Sequence, residues 1–514
     1  MRELISAGGE GRRGRPTQRV PRVRGPALQW QLAVWLALAA ILTAAPAKTR
    51  KKSKPPALDA QIQAILAVPA AKDAFWGIEI RDLKADKIIY SQNADHFFVP
   101  ASNTKLFTTA LALTRLGPDY RFHTRVLLSG RDLVLAGAGD PNLSGRTLPY
   151  EPNLPDPAPL AAINQLADEI VAHGIRRIQG NIIGDDTAFV YEPYPPGWGL
   201  TDTYDDDGPP VSAICVDDNV AKLQIVPALA DGALVETEWQ LPFELFRVDN
   251  ALLTDGDARR EIHYQRLPGS REIRIWGSVP PDGEIAPLPL AVDDPARFAA
   301  QALKEALARR GVICDGVAIA RHQLPGAPPL DPLPGEPIAE RVSVPLVEVA
   351  RVVDKVSQNL HAEILLRDVA LRLNGKGSRQ AGLDALAEFL QGAGIGPDDY
   401  HFSDGSGLSR YNIVTPHAIA TLLEYMAASP VHEQWIGLLP IGGVDGSLRL
   451  RFRGLRLHGE IHAKTGSLSH VSALSGYVVR DDGSMLAFSI LVNNYGAPTT
   501  VIRDVIDKIG AALL

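Results

Sequence analysis

Cysteine is nearly missing from this chain: Cys215 and Cys314 are the only two in 514 residues. They form no C-x-x-C pair, which leaves no support for a zinc ribbon or a thioredoxin-type redox centre, and no metal or cofactor is expected. In an oxidising compartment they would either close one disulfide or stay two separate buried thiols, and the sequence leaves both readings open. A positive charge excess is also lacking. The net charge is −7, and the first 47 residues hold seven Arg against two Glu, a net of +5, so the remainder carries −12. Such an acidic body is a poor match to nucleic acid. The apolar run of the N-terminal segment, Leu32 to Ala45, has 14 residues, short of the ~18–20 that a membrane-spanning helix needs.

That segment reads as an export signal. Arg12, Arg13, Arg15, Arg19, Arg22 and Arg24 precede the apolar run, and Ala45-Pro46-Ala47 supplies an A-x-A cleavage pattern. The basic residues Lys48, Arg50, Lys51, Lys52 and Lys54 follow at once. Residues 1–47 are therefore either a cleaved signal peptide or an uncleaved membrane anchor, with 48–57 a basic linker. Either way the body of the protein is expected in the periplasm or another extracytoplasmic compartment. Its 46% hydrophobic content and length allow two or three domains with real cores.

Three short motifs stand in order along that body: Ser102-Asn103-Thr104-Lys105, Ser357-Gln358-Asn359 and Lys464-Thr465-Gly466. Each has a plausible setting. Trp76 to Arg81 alternates like a half-buried strand, Lys84 to Lys87 reads as a turn, and Ile88 to Tyr90 begins a return strand. From Thr104 the residues Leu106, Phe107, Ala110, Leu111, Leu113 and Leu116 have helical spacing, closed by Gly117-Pro118. Ser102 then lies in the first turn of a helix with Lys105 three residues on, facing the same way. Taken alone, the pair reads more simply as a capping serine and a solvent lysine; the other two motifs reverse that.

Lys464-Thr465-Gly466 closes a strand-like run from Leu457. A hairpin follows, Ala473 to Val479 and Met485 to Val492 around Arg480-Asp481-Asp482-Gly483, and then a C-terminal helix from Thr499. With the two N-terminal strands this predicts an antiparallel sheet of about five strands flanked by helices, an α/β (α+β) domain in which the chain's ends meet. Ser357-Gln358-Asn359 falls between two apolar-periodic stretches, Leu346 to Val353 and His361 to Leu373, and so on a helix connection.

The ordered trio is the signature set of penicillin-binding proteins and serine β-lactamases. The chain resembles more narrowly the low-molecular-mass penicillin-binding proteins of peptidase family S13, D-alanyl-D-alanine carboxypeptidases/endopeptidases. The resemblance runs from about Leu58 to the C-terminus. It also rests on Gly137-Ala138-Gly139-Asp140-Pro141, Gly184-Asp185-Asp186, Asp404-Gly405-Ser406-Gly407-Leu408-Ser409-Arg410, and Leu439-Pro440 with Gly443-Val444-Asp445-Gly446. The 252 positions from Lys105 to Ser357 imply inserted domains. The expected division is a serine β-lactamase/DD-peptidase-like catalytic domain of residues 58–139 and 346–514, with one or two smaller domains inserted at 140–345.

The inserted stretch is Pro-rich and holds two clear helices, Leu160 to His173 and Ala296 to Arg310. Each ends in Gly followed by an apolar strand, an echo that hints at two similarly built modules. Nothing in it reads as catalytic. Glu151-Pro152-Asn153-Leu154 stands on the wrong side of Ser357 to be the deacylating Glu of class A β-lactamases. Asp202 to Asp207 lacks the ligand spacing of a calcium loop and reads as a solvated turn. His458 and His462 flank Glu460 without making H-E-x-x-H and read as ordinary strand residues.

The resemblance implies an acyl transfer. Ser102 would be the nucleophile and Lys105 its base, its pKa lowered by partial burial and by the nearby charge of Lys464 so that a neutral amine is present. The backbone N–H groups of Ser102 and Ser467, next to Gly466, would form the oxyanion hole. Ser357 would relay a proton to the departing amine while Asn359 holds the substrate amide. Thr465 and Arg410 offer donors to the terminal carboxylate. Peptidoglycan stem peptides are the implied substrates and β-lactams the implied inhibitors. The alternatives are a β-lactamase or esterase on the same scaffold and a non-catalytic cell-wall-binding protein. Gln358 replaces the Asp of S-D-N, a variation that S-x-N tolerates.

Overall fold

The computed structural model describes residues 57–514 apart from 153, 155–157, 257–258, 268, 283–284 and 456–457. The expected signal or anchor at 1–47 and nearly all of the basic linker lie outside the described residues. Among the described residues no helix is long and apolar enough to cross a membrane.

The sheet expected from the chain's two ends is there. Its five strands run in the order Lys87–Gln92, Phe75–Asp82, Met485–Asn493, Val471–Arg480, Gly459–Leu468, every neighbour antiparallel. Both faces are covered, so Met485–Asn493 and Val471–Arg480 are buried almost throughout rather than on alternate residues. The period of two sorts the side chains between two cores. Leu474, Val478, Phe488 and Ile490 pack on one side, where Ile502, Ile506 and Ile509 of the helix Thr499–Ala512 also pack. Ala473, Tyr477, Ala487 and Leu491 point the other way, into a lobe of helices. Full burial of each large aliphatic side chain is worth about 1.5–3 kcal/mol. Tyr477 also has its hydroxyl anchored: it donates to Leu423 O at 2.6 Å and accepts from Trp435 Nε1 at 2.9 Å.

The helical lobe carries two of the three motifs. Helix Thr104–Leu116 is buried nearly all round and stops at Gly117, whose φ of +84° suits a residue without Cβ. Helices Leu346–Lys355 and Asn359–Asn374 follow one another with Ser357 in the connection between them. Gln358 Oε1 caps the second by accepting from Leu360 N at 2.9 Å.

Between these parts lies the inserted region. A second five-stranded sheet has the order Ala318–Gln323, Ile182–Val190, Asp132–Ala136, His123–Ser129, Glu336–Val342. Helices Ala161–Ala172 and Pro295–Ala308 pack on each other in its core. The echoed helix–Gly–strand runs are therefore not two modules. Their strands pair with each other in parallel, Ala318 opposite Ile182 in the five-stranded sheet and Ile313 opposite Arg177 in a separate two-stranded one. The hairpin 123–136 joins this sheet as well. Two three-stranded sheets complete the region, Glu236–Trp239 with Val220–Val226 and Leu288–Ala291, and Arg247–Thr254 with Glu272–Val279 and Glu261–Arg266. Of the two cysteine readings, the structure has separate thiols. Cys215 is buried with Phe189, Leu360 and Ile364, whereas Cys314 packs against the core of the inserted region.

Candidate active site

Ser102 sits in a 3₁₀ turn, Ala101–Asn103, that runs directly into helix Thr104–Leu116. Ala101 holds φ at +48°, a left-handed conformation that a non-glycine residue keeps only under constraint. Two glycines press on that turn. A Cβ on Gly407 would stand 1.9 Å from Ala101 O, and one on Gly466 would stand 2.6 Å from Pro100 O and 3.2 Å from Ser102 N. Only glycine at these places lets the Asp404–Arg410 loop and the edge strand close on the serine. Asn103 ties the turn to that strand, donating to Lys464 O at 3.0 Å.

Lys105 lies one turn below Ser102 and is fully buried. Its Nζ meets Ser102 Oγ at 3.0 Å, Asn359 Oδ1 at 2.5 Å and Ser406 O at 2.7 Å. Asn359 and Ser406 present acceptors only. A neutral amine spends its two N–H groups on them, and the lone pair is left facing the serine hydroxyl. Burial, and then the charge of Lys464, push the Lys105 ammonium well below its ordinary range. Lys464, also fully buried, repeats the arrangement: its Nζ donates to Ser357 Oγ at 2.8 Å and to Thr465 O at 3.0 Å. Burial lowers its pKa as well, while the carboxyl of Asp354 pulls the other way. Ser357 holds φ at +66°, which brings its hydroxyl to Lys464.

Both serines open onto one cleft of about 450 Å³, with the two lysines buried behind them. Its walls hold Ser102, Ser357, Asn359, Thr465, Gly466, Ser467 and Arg410, so the structure collects the predicted residues in one place. Arg410 is exposed at the rim. The acidic turn at 202–207 is not merely solvated: Asp202 and Asp207 line the same cleft. Asn359 Nδ2 donates to Asp207 O at 2.7 Å. Partial burial and the neighbouring Asp205, Asp206 and Asp202 push the Asp207 carboxyl up to about 6.

Several further residues hold this geometry. Asp404 is a buried hub: its carboxylate accepts from Trp198 Nε1 at 2.9 Å, Gly407 N at 2.8 Å, Ser409 N at 2.7 Å and Asn412 Nδ2 at 2.6 Å. Glu363 lies one helical turn beyond Asn359, a spacing that could have flagged it. Its Oε1 accepts from both Gly405 N and Ser406 N at 2.8 Å. Arg503 of the last helix donates to Ser467 Oγ at 2.9 Å, and Ser447 Oγ lies 2.7 Å from Thr465 Oγ1. Gln358 has a partner that an Asp would repel, since its Nε2 donates to Asp218 Oδ2 at 3.2 Å. Asp218 also takes Arg146 at 2.5 Å and His361 Nε2 at 2.8 Å.

The chain is similar to known proteins over most of its length. The model of the D-Ala-D-Ala carboxypeptidase 3 (S13) family matches residues 58–513. A D-alanyl-D-alanine carboxypeptidase of Actinomadura sp. (strain R39) is 33% identical over 467 residues, 87% of this chain and 82% of that protein. D-alanyl-D-alanine carboxypeptidase DacB of Haemophilus influenzae is 26% identical, covering 82% of this chain and 85% of its own. The crystal structure of penicillin binding protein 4 (dacB) from Haemophilus influenzae shares the fold, with a TM-score of 0.73 at 24% identity over 88% of this chain and 98% of that one. The chain belongs to the D-Ala-D-Ala carboxypeptidase 3 (S13) family.

Proposed function

We propose that the protein is a serine DD-peptidase that cleaves D-Ala-D-Ala termini or D-Ala crosslinks of peptidoglycan through an acyl-enzyme on Ser102. The observation that carries this reading is the pair of lysine–serine contacts, Lys105 to Ser102 and Lys464 to Ser357, whose two serines line one cleft. Ser102 Oγ attacks the carbonyl carbon of the penultimate D-Ala while its proton passes to the Lys105 amine. Charge builds on the carbonyl oxygen, and the N–H groups of Ser102 and Ser467 receive it. As the C–N bond breaks, a proton reaches the departing nitrogen through Ser357, which Lys464 holds in place. Water then cleaves the ester and regenerates Ser102. Asn359 positions the acyl-side amide, and Thr465 and Arg410 hold the terminal carboxylate.

A β-lactam enters the same sequence. Its ring C–N bond breaks, but the nitrogen stays tethered to the acyl group and the ester persists. The crystal structure of the Haemophilus influenzae penicillin binding protein 4 complexed with a β-lactam is a relevant neighbour, similar in fold at 24% identity. Action on the cell wall places the protein outside the cytoplasm. Residues 1–47 as signal peptide or membrane anchor extend that reading. The proposed division is a catalytic part of residues 58–139 and 346–514 and an insertion of 140–345, with the 123–136 hairpin reaching into the inserted sheet.

Incubation with purified crosslinked muropeptides tests the reading. Release of free D-alanine, or of uncrosslinked monomers, is expected, and each product is abolished by prior treatment with penicillin. Intact substrate after incubation with folded protein would refute it.

A further inference from the structure

Below the two lysines lies a third ionisable group that the mechanism above does not use. Asp354 ends the apolar stripe Leu346, Val349, Ala350, Val353 of its helix and has no exposed surface. One carboxyl oxygen, Oδ1, has no hydrogen-bond partner. The other, Oδ2, lies 3.0 Å from Thr109 Oγ1, and that hydroxyl also lies 2.8 Å from Lys105 O. A hydroxyl has one proton, and a backbone carbonyl can only accept. Two arrangements satisfy these contacts. In one, Asp354 is an acid that donates to Thr109, which donates to Lys105 O. In the other, Asp354 is an anion that accepts from Thr109.

The surroundings favour neither arrangement outright. Burial favours the acid, whereas the charges of Lys464, Lys105 and Lys355 and the Thr109 bond favour the anion. Lys355, on the same helix, is already held by Asp445 at 2.5 Å, and Arg351 faces it. Lys105 additionally faces Asp404 and Glu363 from the far side. Lys464 has Asp354 as its acidic counterpart.

We propose that Asp354 is a positioning residue for the active-site lysines: exchanging between an acid bonded to Thr109 and an anion beneath Lys464, it sets how readily Lys105 and Lys464 give up their protons. This rests on the reading of Ser102 as the acylated nucleophile. An anion at Asp354 holds both ammonium groups charged. Removing that charge makes the neutral amine available under more acidic conditions. The Thr109 bond stabilises the anion, so its loss acts in the same direction but more weakly.

The test is the pH profile of the acylation rate by a fluorescent penicillin, measured for wild type, Asp354→Asn and Thr109→Val. The acidic limb is expected to move down by about one pH unit or more in Asp354→Asn, since at an effective dielectric of ~20 a unit charge even ~12 Å away shifts a pKa by about one unit. Thr109→Val should show a smaller shift of the same sign, and it decides the matter alone should Asp354→Asn not fold. A residue that only supports packing would lower the melting temperature without moving the limb. Folded variants that keep the wild-type limb, while wild type is labelled normally, would overturn this inference alone. A wild-type protein that takes no label at any pH would overturn the Ser102 reading and the inference with it.

Discussion

Glu363 holds Ser406: one carboxylate oxygen accepts the N–H groups of both Gly405 and Ser406 at 2.8 Å, and Ser406 then offers its carbonyl to Lys105 at 2.7 Å. The other oxygen of Glu363 binds Arg367 Nη1 at 2.9 Å, with both side chains buried. The acid thus fixes the loop that fixes the base. Glu363→Gln leaves a buried guanidinium without its counter-charge, which costs about 3 kcal/mol. Urea denaturation should show that loss, and penicillin acylation should slow as the Ser406 carbonyl drifts. Unchanged acylation in a destabilised variant would confine Glu363 to folding.

Lys105 acts as an amine with its lone pair toward Ser102. Lys105→Ala should lose acylation, and Lys105→Arg should not restore it, because a guanidinium stays protonated and cannot accept the serine proton. Stopped-flow acylation kinetics check this. A near-normal rate in Lys105→Arg would mean that another group takes the proton.

Arg410 stands exposed at the cleft rim, while Arg503 approaches Ser467 from the other side of the edge strand. A charge-assisted hydrogen bond from Arg410 to the terminal carboxylate is worth roughly 1.5–3 kcal/mol, so Arg410→Ala should lower kcat/KM for D-Ala-D-Ala peptides about ten- to a hundredfold. The loss should be much smaller on a substrate whose carboxylate is amidated. Arg410→Lys should recover only part of the activity, since an ammonium cannot reproduce a bidentate fork. Should Arg503→Ala give the acid-specific loss and Arg410→Ala spare it, the carboxylate contact belongs to Arg503.

Asp217 gives a stability prediction with a definite sign. It holds φ at +48°, its Oδ2 accepts from Leu160 N at 2.6 Å, and its buried Oδ1 has no partner. Burial, assisted by the charge of Asp218, raises its carboxyl to about 6. A group whose pKa is raised on folding stabilises below its unfolded value, and that contribution is lost as pH rises through the folded value. Between about pH 4 and pH 6, Asp217 therefore costs stability as it ionises. Asp217→Asn keeps an acceptor for Leu160 and carries no charge. It should unfold at higher urea at neutral pH, by about 1–2 kcal/mol after allowance for solvent screening, with little gain in acid. A variant equally stabilised at both pH values would assign the gain to backbone conformation alone.

The catalytic sheet was legible because its strands stand beside recognisable turns: Trp76 to Arg81 alternates ahead of the Lys84 to Lys87 turn, and Met485–Asn493 follows Asp482-Gly483. The three motifs were legible because each is local. What escaped was non-local. The apolar runs through Ile183 and Ile319 hint at two similar modules, since nothing in either says that Ile182–Val190 and Ala318–Gln323 lie side by side in one parallel ladder. Asp354 and Glu363 are acids inside apolar helices, and the partners that define them lie 245 and 42 positions away. The Asp404–Arg410 run was legible as a motif, but its sequence does not say that Asp404 is buried and organises the loop. Arg503 gave no signal because the last turn of the K-T-G-S strand meets the C-terminal helix only in the folded sheet.

The central claim is that Ser102 carries the acyl group. Intact-mass measurement after incubation with benzylpenicillin tests it most directly, with thermal unfolding run on the same samples. Wild type should gain the mass of one penicillin, located by peptide mapping on Ser102. Ser102→Ala should gain none while melting at nearly the wild-type temperature. An adduct of equal amount on the Ser102→Ala protein would contradict the account.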